Sequence, residues 1–70
     1  MFLPMIIILN GSPYETEGPL PLTSLLQRIG LEGKPVVIEL DEIALFQRDY
    51  ATTTIQEGAR VEIVTLAAGG

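Results

Sequence analysis

The stretch 57-EGARVEIVTLAAGG-70 closes the chain and carries the features that decide its fold. The "QEGA" segment at residues 56–59 predicts a turn, and the residues after it alternate between two faces as a β-strand does. Val61 and Ile63 lie on one face of this strand, and Glu62 and Val64 lie on the other. The pattern therefore predicts a last strand over residues 60–66 that buries one face only.

Two alanines and then two glycines follow this strand, so the folded part of the chain is predicted to end at residue 66. Without Cβ atoms, Gly69 and Gly70 fit a narrow channel and adopt backbone angles that other residues avoid. The terminal carboxylate, with an ordinary pKa of about 3.3–3.7, is ionised at neutral pH. We expect residues 67–70 to form a flexible tail that carries this carboxylate into a partner's active site, although a frayed chain end is the simpler alternative.

A free carboxylate is a poor electrophile, so chemistry at Gly70 requires activation by another enzyme. ATP would convert the carboxylate into an acyl adenylate, and a sulfur donor would then displace the nucleotide. The product would be a thiocarboxylate held on the tail.

Composition limits the remaining possibilities. The 70 residues are enough for one small domain, and an apolar content of 47% indicates that the domain folds. The net charge of −5 disfavours nucleic acid and anionic membranes, and it favours a partner with a basic surface. The chain has no cysteine and no histidine, so we expect no metal, no bound cofactor and no catalytic centre in the body.

The apolar opening "MFLPMIIIL" is not predicted to be a signal peptide, because the first cation in the chain is Arg28. It is also shorter than the roughly 20 apolar residues that a membrane helix needs. We therefore expect a cytoplasmic protein with no membrane segment. The β pattern begins at Met5, so residues 1–4 are either native or an upstream extension.

Further elements follow from local patterns. A first strand is predicted over residues 5–9. The "NGS" segment predicts a hairpin turn after it, and a return strand is predicted over residues 14–17. One helix is predicted from four apolar residues at helical spacing, with Pro21 at its start and Gly30 after its end: Leu22, Leu25, Leu26 and Ile29. A central strand is predicted over residues 35–40, followed by a turn at Asp41 and Glu42 and a short strand over residues 43–46. Residues 47–54 show no clear period.

A single helical stripe is buried most economically by crossing one sheet face and leaving the other face free. The sequence thus predicts an α+β fold of the β-grasp, or ubiquitin-like, type. Residues 1–66 would form a mixed four- to five-stranded sheet crossed by one helix, and residues 67–70 would follow it as the tail.

Over residues 5–70 the chain resembles the ThiS family, the ubiquitin-like sulfur carriers of thiamine biosynthesis. The matching segments are "MIIILNG", "LTSLLQRIGL", "VVIEL" and "EGARVEIVTLAAGG". The resemblance implies that a ThiF-type adenylyltransferase uses ATP to adenylate Gly70. Sulfur from a cysteine desulfurase would then form the thiocarboxylate that the thiazole synthase ThiG consumes. It also implies that Gly69, Ala68 and Ala67 thread into the partner enzyme, which makes the protein a carrier and not an enzyme.

The chain departs from many relatives after the third strand, where it has Asp41-Glu42 and then Leu45-Phe46-Gln47. Phe46 either fills the core, which is the simpler interpretation, or lies exposed as a docking anchor. Val64 and Leu66 are predicted to face away from the helix and to bind the partner, with oligomer packing or a β-bulge as alternatives.

The acidic residues are predicted to form a solvated surface, with the densest group at residues 39–42 steering the approach of a basic partner. Two other functions stay open at this point. One is a MoaD-like carrier for molybdopterin synthesis, and the other is a ubiquitin-like module that binds without covalent chemistry. A small independent enzyme is poorly supported, since no nucleophile and base occur together.

Overall fold

The computed structural model describes residues 3–66, which form seven strands and two helical segments. Five of the strands build the main sheet: β1 (Met5–Leu9), β2 (Ser12–Thr16), β4 (Val36–Leu40), β5 (Ile43–Ala44) and β7 (Arg60–Thr65). The other elements are β3 (Leu20–Pro21), the helix α1 (Leu22–Arg28), a 3-10 helix (Gln47–Thr52) and β6 (Thr54–Ile55).

The main sheet has the strand order β2-β1-β7-β4-β5. Its central pair, β1 and β7, is parallel, and the remaining neighbours are antiparallel. This mixed sheet crossed by one helix confirms the predicted β-grasp arrangement. The strands β3 and β6 pair with each other in a separate two-stranded sheet.

Turn residues explain how the two hairpins close. Asn10 and Gly11 have φ values of 49° and 82°, as the tightest hairpin turns require at both central positions. Asp41 and Glu42 have φ values of 50° and 70° between β4 and β5. Both turns were predicted from the sequence and are confirmed, although Glu42 adopts a conformation that residues with a Cβ rarely take.

The helix lies over one sheet face because its apolar stripe matches that face. Leu22, Leu25 and Leu26 are buried, and the helix ends before Gly30, whose φ of 78° only glycine adopts easily. Six side chains are almost wholly excluded from solvent and form the centre of the core: Ile7, Leu22, Leu25, Ile38, Ile55 and Val61. On the opposite face of the sheet, Ile6, Val37 and Val64 are exposed.

Several predicted boundaries are corrected by the structure. The return strand is Ser12–Thr16 and not residues 14–17, and β5 is only Ile43–Ala44, since the chain leaves the sheet after Leu45. The segment without a clear period contains the 3-10 helix and the start of β6. The strands β3 and β6 have two residues each, which is too few to show the alternation of a β-strand, so the sequence did not predict their pairing.

The predicted third and last strands also shorten at their ends. The third begins at Val36 because Pro35 has no N–H to donate to a ladder, and β7 ends at Thr65. Within residues 3–66, no helix has the length and apolar character that crossing a membrane would require.

Candidate functional site

The last strand is held firmly up to the residue where the predicted tail begins. The N–H of Leu66 donates to the carbonyl of Pro35 at 3.0 Å, and at the other end the N–H of Asp41 donates to the carbonyl of Arg60 at 2.8 Å. Antiparallel pairing with β4 runs between these two bonds. The predicted tail residues Ala67, Ala68, Gly69 and Gly70 lie outside the described residues.

Around this strand end, four apolar side chains lie exposed on the sheet face away from the helix, and we call them the outer cluster. Their exposed fractions are 45% for Val37, 64% for Phe46, 59% for Val64 and 51% for Leu66. Val37 and Val64 are directly opposite each other in the β4–β7 ladder. The predicted exposure of Val64 and Leu66 is therefore confirmed, while their role in binding stays a prediction.

Phe46 belongs to the outer cluster because of the strand register. The N–H of Leu45 donates to the carbonyl of Ile38 at 2.9 Å, which extends the β4–β5 register by one residue. Leu45 turns inward and packs against the core, so Phe46 falls on the outer face opposite Val37. The interpretation of Phe46 as a core residue is wrong, since Leu45 takes that place.

A cation covers one side of the Phe46 ring. The guanidinium carbon of Arg48 lies 4.6 Å from the ring centroid, within the range of a cation–π contact. Such a contact is worth about 0.5–1 kcal/mol at an exposed site. It orients the ring before any partner arrives and places a positive charge at the rim of the outer cluster.

On the side towards the middle of the sheet, the outer cluster is bordered by two acids. Glu39 and Glu62 are exposed and directly opposite each other in the β4–β7 ladder, next to the Val37–Val64 pair. Like charges in directly opposed positions destabilise a sheet. The acids of the predicted group at residues 39–42 therefore have different neighbours. Glu39 lies opposite Glu62, whereas a carboxylate oxygen of Asp41 accepts the N–H of Arg60 at 2.9 Å.

Three residues of this site were not singled out by the sequence reasoning. Val37 could have been found, since alternation along "PVVIEL" places its side chain on the opposite face of the sheet from that of Ile38. Arg48 could not, because its position over Phe46 depends on the 3-10 helix. Asn10 was predicted only as a turn residue, yet its side-chain oxygen accepts the N–H of Ile63 at 2.7 Å.

A surface depression also lies away from the outer cluster. It is lined by residues just before β1, around the end of β2 and at the end of the helix: Leu3, Pro4, Glu15, Thr16, Glu17 and Arg28. Because β1 and β7 are parallel, the start of β1 and the end of β7 lie at opposite ends of the sheet. Among the acidic residues within 3–66, no three approach closely enough to hold a metal ion.

Comparisons with known proteins agree with this geometry. The family model described as "ThiS family" matches residues 7–70. The sulfur carrier protein ThiS of Thermus thermophilus is 34% identical over 65 residues, which is 93% of this chain and 100% of that protein. The crystal structure of the thiamine biosynthesis protein ThiS from Geobacter metallireducens superimposes with a TM-score of 0.80 at 29% identity, covering 94% of this chain and 100% of that one.

A third relative is much longer. The thiazole synthase of Magnetococcus marinus is 30% identical over 66 residues, which is 94% of this chain but 20% of that protein. The matched segment is thus one part of a larger chain, whereas the Thermus carrier matches along its whole length. Because the family model spans nearly all of the sequence and agrees with the fold, this chain belongs to the ThiS family.

Proposed function

We propose that this protein is a sulfur carrier of thiamine biosynthesis, with the Gly70 carboxylate as the group that carries sulfur. The observation behind the proposal is that the family match continues through residue 70 and so includes the closing Gly-Gly. The hydrogen bond from Leu66 to Pro35 supports it, since the folded body is anchored up to four residues from the carboxylate.

The reach of the last four residues suits delivery into another protein. Extended at about 3.3–3.6 Å each, they span at most roughly 13–14 Å beyond Leu66. A carboxylate at that distance is able to enter an active site while the outer cluster stays outside it. The lack of a Cβ at Gly69 and Gly70 allows a narrow entrance.

The chemistry is supplied by partner enzymes. A carboxylate oxygen of Gly70 attacks the α-phosphorus of ATP, pyrophosphate leaves, and an acyl adenylate forms. The terminal sulfur of a persulfide on the donor then attacks the acyl carbon and AMP leaves, which gives an acyl disulfide. A thiol next attacks the donor's sulfur in this disulfide, so that a disulfide forms between the donor and the thiol and the thiocarboxylate is released. The chain holds no cysteine or histidine, and its own part in these steps is to bind, to aim and to present the acyl group.

The outer cluster is the surface on which these partners would dock. Val64 and Leu66 stand on the strand that leads into the tail, and Phe46 stands beside them with its ring oriented by Arg48. Large apolar side chains that are exposed together and rimmed by charge are typical of protein-binding surfaces. Glu39 and Glu62 would favour a partner that brings arginine or lysine to the edge of the contact.

The partners we propose are a ThiF-type adenylyltransferase, a cysteine desulfurase as the sulfur source, and the thiazole synthase ThiG. The Magnetococcus thiazole synthase supports the last of these, because a segment similar to this chain occurs within that protein. Joining two proteins in one chain raises their effective concentration towards each other, which is useful only if they act together. We place the reaction in the cytoplasm, where these substrates would meet.

Intact-mass measurement tests the proposal. The protein is incubated with a ThiF-type adenylyltransferase, ATP, a cysteine desulfurase and cysteine, and a mass gain equal to replacing one oxygen by sulfur is expected. Deleting Gly70 should abolish the gain, whereas Glu57→Gln, which lies before the start of β7 and keeps a side-chain oxygen to accept the N–H of Ile6, should preserve it. A wild-type mass that does not change would refute the carrier function and leave a non-covalent binding module.

A second assay separates the two carrier pathways. The thiocarboxylate form is offered in parallel to ThiG and to a molybdopterin synthase subunit. Turnover to the carboxylate with ThiG alone is the expected result. Consumption only by the molybdopterin system would contradict the assignment to thiamine biosynthesis.

A further inference from the structure

The backbone of β7 points its polar groups alternately to the two sides of the strand. Leu66 bonds to Pro35 and Arg60 bonds to Asp41, the residues on either side of β4, so by alternation residues 60, 62, 64 and 66 direct their N–H and C=O groups towards β4. The carbonyls of Ala59 and Val61 accept the N–H groups of Ile8 and Asn10, so the odd-numbered residues face β1. Thr65 is the next odd-numbered residue, and its N–H therefore points to the β1 side.

On that side β1 has already ended. The ladder between β1 and β7 closes at Leu9 and Val61, and the side chain of Asn10 then takes the N–H of Ile63. Beyond this cap, the part of the chain that the structure describes offers no hydrogen-bond acceptor to the N–H of Thr65. The carbonyls of Ile63 and Thr65 face the same open side.

We infer that this open edge, centred on Thr65, binds an extended strand of the activating enzyme by main-chain hydrogen bonds, so that the enzyme grips the carrier along the axis of its tail. The inference rests on the proposed function and specifies how the partner engages it. Strand addition to a sheet edge obtains affinity from main-chain bonds and aligns the added segment with the strand it joins. Alignment with β7 is what delivery of the Gly70 carboxylate requires.

The neighbouring residues favour a partner strand over a second copy of this chain. The β1–β2 turn at Asn10 and Gly11 blocks the edge on one side, so an added strand meets the open edge at Thr65. Two copies paired antiparallel at Thr65 would each direct Leu66 towards the other's β1–β2 turn. A partner strand avoids this collision by ending or turning before Asn10, and it lies beside the exposed Val64 and Leu66.

Amide hydrogen exchange tests the inference directly on the wild-type protein. In the free protein, the amides of Val64 and Leu66 should be protected by β4, whereas the amide of Thr65 should exchange near its unprotected rate. Adding the ThiF-type adenylyltransferase without ATP should slow exchange at Thr65 by at least about tenfold, with smaller changes at its neighbours. Protection of Thr65 in the concentrated free protein would instead indicate pairing between copies and would overturn the inference.

A proline variant removes the donor alone. Thr65→Pro deletes the N–H on the open side and no bond of the β4–β7 ladder, so the thermal midpoint should stay close to that of the control Thr65→Ala. Relative to that control, Thr65→Pro should bind the adenylyltransferase about 2- to 13-fold more weakly, the factor for one backbone hydrogen bond. Equal affinities, with Thr65 exchange unchanged in the wild-type complex, would overturn the inference.

Pyrophosphate release on mixing wild-type protein, enzyme and ATP reports the proposed function independently. A chain that is not adenylated overturns both conclusions. A chain that is adenylated while its Thr65 amide stays unprotected overturns only the strand addition.

Discussion

Replacing Phe46 by alanine should weaken partner binding strongly and leave folding almost unchanged. A phenylalanine side chain offers roughly 200 Å² for burial, so an exposed fraction of 64% leaves about 130 Å² to be covered by a partner. At about 25 cal/mol per Å² this area is worth roughly 3 kcal/mol, and alanine retains part of it. The expected loss is therefore about 2 kcal/mol, or roughly 30-fold in Kd.

The adjacent residue provides a matched control. Leu45 packs against the core, so Leu45→Ala should lower the free energy of unfolding, by about 2 kcal/mol or somewhat less because the side chain is only partly buried. Phe46→Ala should change that free energy by no more than about 0.5–1 kcal/mol, the value of its contact with Arg48. One side chain thus serves binding and its neighbour serves folding.

Isothermal titration calorimetry against the adenylyltransferase and urea unfolding followed by circular dichroism provide the two readouts. A Kd for Phe46→Ala within about threefold of wild type, with unfolding unchanged, would refute the assignment of Phe46 to the interface. A loss of stability equal to that of Leu45→Ala would refute the register that places the ring on the outer face.

Three further changes test the sheet and its core. Glu62→Lys replaces the like-charge pair with Glu39 by an opposite-charge pair and should stabilise the fold by about 0.2–1 kcal/mol in urea unfolding at low salt; a destabilised variant would contradict the observed register. Ile38→Ala empties a fully buried site and should cost about 2–5 kcal/mol, a large part of the roughly 3–10 kcal/mol expected for a chain of this size, so its thermal midpoint should fall steeply. Asn10→Gly keeps the positive φ but removes the acceptor for the N–H of Ile63, and it should cost about 1 kcal/mol and speed exchange at that amide; unchanged exchange would show that the side chain does not hold the strand.

The outer cluster combines an apolar centre with unlike charges on its two sides. Arg48 lies at the Phe46 side, and Glu39 with Glu62 lies towards the middle of the sheet. A partner of complementary charge would meet this surface in one orientation only, because reversal would bring like charges together. The direction of the tail would then be set when the two proteins first dock.

Much of the fold was accessible from local patterns. The first strand was predicted with its observed ends at Met5 and Leu9, because five residues of dense β-branched side chains meet a turn that accepts positive φ. The helix was predicted from one apolar stripe, which is readable without knowing what it covers. Alternation along β7 correctly separated the buried Val61 and Ile63 from the exposed Val64.

The misplaced features depend on contacts between distant segments. Phe46 and Leu45 differ little in apolar character, and only the register of β5 against β4 decides which of them faces the core. The pairing of β3 with β6 joins residues more than thirty positions apart and involves two residues from each strand, so no sequence period reports it. The acids of residues 39–42 are adjacent in the chain, yet Glu39 meets Glu62 and Asp41 meets Arg60.

By itself the sequence determined the main strands, the single helix, the α+β class and the chemistry proposed for Gly70, because strand and helix periods, turn residues and the absence of cysteine and histidine are local properties. Only the tertiary structure decided which apolar side chains form the outer cluster and where the β1–β7 ladder stops. Both depend on strand register, and a shift of one residue would exchange the two faces of a strand. For that reason the open edge at Thr65, one residue before the end of the described chain, was visible only once the strands were paired.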